Sequence, residues 1–187
     1  MTEAAKPDRA KSARALRPRD AATLILVERP ERGGARVLMG KRHAGHRFMP
    51  GKFVFPGGRV EPEDRRMAAA GALDPDVEAK LNVRVRRPSP HFARAITPPG
   101  RPRRFDARFL IADATCVARR VEGAVHPEAE LVELVWTPLN EALNLDLPDI
   151  TRAALADLAQ ALDGGLDKRR PRPFYRELRG KRLRDEL

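Results

Sequence analysis

Cysteine is almost missing from this chain of 187 residues, in which Cys116 stands alone. One thiol excludes an internal disulfide and a cysteine-rich zinc site, and it fits a reducing compartment. Cys116 falls in the apolar run "FLIADATCVA", where a core position is expected. No stretch approaches the about eighteen apolar residues of a membrane span, and the opening "MTEAAKPDRAKSARALRPRD" lacks the apolar centre of a secretory signal. A soluble, cytoplasmic protein with no membrane partner is expected. The closing "RDEL" resembles an endoplasmic-reticulum retrieval signal, but without an export signal that address would go unread. No internal repeat is present.

Basic charge is what the chain has in excess. Lys and Arg number 37 against 26 Asp and Glu, a formal net charge of +11. Such a surface draws anions, and nucleic acid, phosphorylated metabolites and acidic lipid all qualify. The length and a hydrophobic content of 42% predict one domain with ragged ends. Residues 1–19 read as a disordered basic arm, 20–166 as the domain, and 167–187 as a basic tail. Phe174, Tyr175 and Leu178 would pin that tail back.

"AATLILVE" and "ARVLMGKR" around the turn "RPERGG" predict a β-hairpin, and "KFVFPGG" a strand stopped by Pro56. "DPDVEAKLNVRV" from Asp74 predicts a short helix, broken by "RRPSP". "HFARAIT", "RFDARFLIAD" and "ELVELVWTPL" read as strands. "LPDITRAALADLAQALDGG" predicts a helix capped by Asp149 and stopped by Gly164 and Gly165, with Ile150, Ala154, Leu155, Leu158 and Leu162 on its inner face. Trp136 and Phe109 are expected in the core.

One stretch, "FVFPGGRVEPED" from Phe53 to Asp64, carries the chemistry. A short apolar strand, a proline, two glycines and then acids read as the entrance to a phosphate site. It resembles the opening of the Nudix hydrolase signature: glycine, five residues, glutamate, seven residues, then R-E-U-x-E-E-x-G-U with U apolar. "ARAITPPGRPRRFDARFLIAD" is similar to the strand, loop and strand after the catalytic helix in the branch acting on coenzyme A and related diphosphates. "ELVELVWTPLNEAL" is similar to the late strand and short helix, and "LPDITRAALADL" to the closing helix. The likeness runs from about Asp20 to the C-terminus.

That resemblance implies an α/β Nudix fold, a mixed β-sheet packed between α-helices. It also implies a hydrolase of coenzyme A, NADH or ADP-ribose type compounds, in which Mg2+ (or Mn2+) assists attack of water on a diphosphate. Carboxylates at i, i+3 and i+4 of one helix would reach a common pocket and hold the cation. Counting from Gly58, Asp64 takes the place of the first glutamate, but Ala72 and Leu73 stand where arginine and glutamate belong. No Glu-Glu pair occurs anywhere in the chain. The break lies between Pro90 and His91. A natural deletion, a degenerate paralogue and a sequence lacking one segment all fit it. The chain as it stands is expected to be inactive or impaired.

By the same resemblance the Gly57 carbonyl and Asp64 are metal ligands, and Glu63, Asp64 and Glu133 are the candidate catalytic carboxylates, with Glu128 and Glu130 near the last. Glu61, Glu63 and Asp64 also read as a solvated acidic turn. Arg42, Arg59, Arg101, Arg103 and Arg104 are candidates for gripping phosphate, against a plain reading as solvent-facing charge. His43, His46, His91 and His126 lack metal-ligand spacing. The partner expected is a small diphosphate substrate. Nucleic acid on the basic ends and a homodimer are further candidates, and a non-catalytic module gripping an anionic ligand or RNA is the rival to an enzyme.

Overall fold

A computed structural model describes residues 16–66, 92–119, 121–165 and 170–187. The helix expected from Asp74, His91 and the junction between Pro90 and His91 lie outside them. Alternating apolar residues build the first strands. β1 (Arg19–Glu28) turns inward Ala21, Ile25 and Val27, and β2 (Arg36–Arg42) turns inward Val37 and Met39. The pair is antiparallel, with Val27 opposite Val37 and Glu28 opposite Arg36. β3 (Phe53–Val54) then pairs with β2, while β4 (Gly57–Arg59) pairs with β1. Beyond Val37 the two strands therefore part, each with its own short partner, and the sheet forks.

The remaining strands extend both arms. β6 (Phe105–Asp113) runs parallel to β1 along its whole length, and β5 (Ala93–Ile96) runs antiparallel to β6. β7 (Leu131–Pro138) pairs with the far edge of β2. The segment expected to lie on the domain as a basic tail instead forms two strands. β8 (Pro173–Leu178) joins β5, and β9 (Lys181–Glu186) closes the edge. Of its three expected anchors Tyr175 is buried and Phe174 half-buried, but Leu178 is exposed.

Helix α1 (Leu139–Ala142) and helix α2 (Asp149–Asp163) add Ala142, Ala154, Leu155 and Leu158 to a core with Ile25, Val37, Met39 and Phe109. Asp149 makes no capping bond; Pro148 precedes the first turn, and Asp149 meets Arg182 at 2.6 Å instead. Cys116 is exposed rather than in the core. Strand β6 ends at Asp113, whose carboxylate accepts from Thr115 N at 3.0 Å and starts a 3-10 turn that carries the thiol out. Those same Thr115 bonds hold the Asp113 carboxyl below its ordinary range. Trp136 is half-buried and Phe109 fully packed. Among the described residues, no helix is long and apolar enough to cross a membrane.

Candidate functional site

The fork gathers the expected site residues at one end of the sheet. Strand β1 begins there, with Arg19 opposite Phe105 and Ala21 opposite Arg59. Strand β2 ends there, with Lys41 opposite Glu133 and Arg42 opposite Leu131. Val60 N–H donates to Asp20 O at 2.9 Å, and His43 N–H to Glu130 O at 3.0 Å, so the 60–66 and 43–52 segments leave side by side. Phe48 meets Phe105 edge to face at 5.4 Å, which brings the 43–52 loop to the base of the β5–β6 loop.

Gly57 and Gly58 are strand residues, not a turn into a helix, and neither has a positive φ. A Cβ on Gly57 would collide with Ala22 O and lie 2.9 Å from Thr23 Cα. Gly57 is thus required by the close passage of β4 over β1. Past it, Arg59 Nε donates to Glu61 Oε1 at 2.6 Å, a bond that raises the guanidinium pKa above its ordinary value. Asp64 Oδ2 accepts the Glu61 N–H at 2.8 Å and closes a short 3-10 turn. Glu63 is exposed.

Mg2+ takes six oxygens in near-octahedral array. These residues do not fit it. Asp64 turns a carboxylate oxygen to its own backbone, Glu61 is tied to Arg59, and Glu133 lies across the fork on β7, beyond β2 and β3. Among the described residues, no three His, Cys, Asp or Glu side chains stand close enough to hold an ion.

The arginines divide. Arg42 is half-buried and donates to Phe48 O at 2.6 Å, lies 3.3 Å from Glu130 and covers the Phe48 ring at 5.6 Å. Burial lowers its pKa, and Glu130 partly offsets this. Its Nε is buried and, among the described residues, has no hydrogen-bond partner. Arg42 thus clamps the 43–52 loop. Arg104 donates to Thr97 O at 2.9 Å and Leu16 O at 2.6 Å, and so ties the β5–β6 loop to the start of the domain. Arg101 and Arg103 are exposed and, among the described residues, have no side-chain partner. His43 and His126 serve their own turns through Nδ1, and His46 lies 3.8 Å from Glu130.

Sequence reasoning missed Asp157, a buried acid on α2. It accepts from the Tyr175 hydroxyl and from Arg184 at 2.9 and 3.0 Å, so it anchors β8 and β9 rather than serving the site. A charge on the apolar stripe between Ala154 and Leu158 was the available signal.

The fold matches solved structures. A Nudix hydrolase from Alicyclobacillus acidocaldarius superposes with a TM-score of 0.53 at 23% identity, over 75% of this chain and 90% of that one. The NUDIX domain of Shewanella oneidensis NrtR, crystallised with ADP ribose, superposes at 0.51 with 13% identity, over 79% and 90%. No protein-family model and no curated protein matches the chain. The chain has the α/β Nudix fold, a mixed sheet with α1 and α2 packed on it.

Proposed function

We propose a Nudix-type protein that binds compounds with a nucleoside-diphosphate linkage through the arginine-bearing loops at the fork, and hydrolyses them weakly or not at all. The observation that carries this reading is the convergence of the β4 exit, the 43–52 loop and the Arg101–Arg103 loop at one end of a Nudix sheet. Arg101 and Arg103 are the groups left to meet phosphate oxygens, since Arg42, Arg59 and Arg104 each hold a neighbour. Impaired turnover follows from the carboxylates. The described ones are bonded or spread across the fork, and the chain has no Glu-Glu pair with which to gather cations.

ADP ribose, the ligand of the Shewanella domain, is the first compound to test, followed by coenzyme A and NADH. Calorimetry with and without Mg2+ or Mn2+ reads binding, and chromatography of the mixtures reads products. The expected result is binding that weakens in Arg101→Ala/Arg103→Ala, without product. Metal-dependent turnover at about 1 s⁻¹ or faster, the ordinary range for enzymes, would restore the diphosphatase reading. Absence of binding by all three compounds would remove the small-ligand reading.

A further inference from the structure

We infer that the same end of the sheet carries a second, larger interaction surface, which takes the phosphate backbone of a nucleic acid. Among the described residues, Arg36, Arg94, Arg108, Arg176, Arg182 and Arg184 each meet a carboxylate. Arg17, Arg19, Arg47, Arg101 and Arg103 are exposed and meet none. Three contacts bring the segments that bear them to one end of the sheet. Arg19 N–H donates to Arg104 O at 2.9 Å, the Arg104 side chain donates to Leu16 O, and the Phe48–Phe105 contact brings the loop that bears Arg47 to the same end. The three segments that bear them, 16–19, 43–52 and 97–105, contain no Asp or Glu of their own; Lys52 meets Asp146, but these five arginines have no such partner among the described residues. Lys6, Arg9, Lys11 and Arg14 continue the same charge toward the N-terminus.

The chemistry favours a nucleic acid over a membrane. All five groups are guanidinium, which pairs with phosphate in a planar two-pronged fashion. A peripheral membrane helix or loop adds several large apolar side chains to its basic ones, whereas among the described residues of these three segments Leu16 is the one large apolar side chain that is exposed, and Pro98, Pro99, Gly100 and Pro102 flank the arginines of the β5–β6 loop. Among the described residues of these segments the two aromatic rings are engaged, since Phe48 lies under Arg42 and against Phe105. Recognition should therefore be blind to base sequence and steep in salt.

The test is fluorescence anisotropy of the full chain with a labelled 20-nucleotide poly-uridine strand between 50 and 200 mM salt. Five phosphate contacts give a log–log slope of about −3.5, close to a hundredfold loss over that interval. Arg17→Gln/Arg19→Gln, which spares Arg101, Arg103 and the 43–52 loop, should flatten the slope by about 1.4 and leave ADP-ribose calorimetry unchanged. Arg29→Gln/Arg32→Gln, at the opposite end of β1, should leave both as they are. Equal losses from the two variants would reduce the effect to net charge and overturn the proposal. So would failure to bind the strand at 50 mM salt, or tighter binding to phosphatidylserine vesicles than to the strand.

Discussion

Asp157→Ala should destabilise the fold more than a change at any exposed polar position of α2. The carboxylate is 7% exposed and takes three hydrogen bonds, one from Tyr175 and two from Arg184. Truncation leaves the buried Tyr175 hydroxyl without an acceptor, which costs about 1–3 kcal/mol. The Arg184 side chain is 42% exposed, so water replaces much of what it loses and its share is at most about 1 kcal/mol. Alanine returns about 0.5 kcal/mol through helix propensity. The net expectation is a loss of about 0.5–3.5 kcal/mol, centred near 2, or about 4–8 °C in melting temperature at that centre for a chain of this length. Urea unfolding followed by far-ultraviolet circular dichroism measures it. Asp163→Ala, at the exposed end of the same helix, serves as control because it changes propensity without breaking a network. If the two variants unfold at the same urea concentration, Asp157 does not hold the β8–β9 hairpin and the reasoning fails.

Three further outcomes follow from the same geometry. Burial and the bond to Asp157 raise the Tyr175 pKa, so the folded chain keeps a proton that the unfolded chain releases from about pH 10; stability should fall as pH rises past that point, and Tyr175→Phe should remove this part of the slope in alkaline urea titrations. Gly57→Ala should cost about 2 kcal/mol in denaturant melts, because the new methyl meets the β1 backbone rather than a movable side chain. Arg179 and Gly180 join β8 to β9 with φ of 50° and 77°, the pattern of a type I′ turn, so Arg179→Gly should raise the unfolding midpoint by an amount equivalent to about 1 kcal/mol.

The sheet was legible where alternation was clean. Ile25 and Val27, Val37 and Met39, and Phe109 lie on inward positions of β-rich runs flanked by Pro and Gly, and each fell in its expected strand. The C-terminal hairpin was hidden because β9 reads "KRLRDE". Charge on both faces suits an edge that must not recruit another strand, and it also erases the apolar period by which strands are recognised. Cys116 was misplaced because an apolar run continues past the Asp113–Thr115 bond, a local side-chain contact that outcompetes the ladder. The glycine pair was noticed through its resemblance, but Gly57 answers to a tertiary neighbour, Ala22 O, that no local pattern contains. The arginines were found by type alone; which of them are free depends on partners far away in sequence, such as Glu130 for Arg42 and Leu16 for Arg104.

That division of the arginines explains why a surplus of charge becomes a surface. On the sheet face away from α2, Arg108 stands opposite Arg94 and Asp20 opposite Asp106, arrangements that repel when taken row by row. The bonds run diagonally, Arg108 to Asp20 at 3.0 Å and Arg94 to Asp106 at 2.6 Å, and Phe174 packs between Arg94 and Arg176. Acids there are matched to bases within the chain, and the face is electrically closed. Immediately before Asp20 the matching stops, since neither the 16–19 segment nor the 97–105 loop holds a carboxylate. Crowded cations without internal partners raise the free energy of the folded state, and an anionic ligand bound there lowers it again by mass action. An anion that binds where the fork opens should therefore stabilise the fold, and a melting temperature that rises with added polyphosphate would show it.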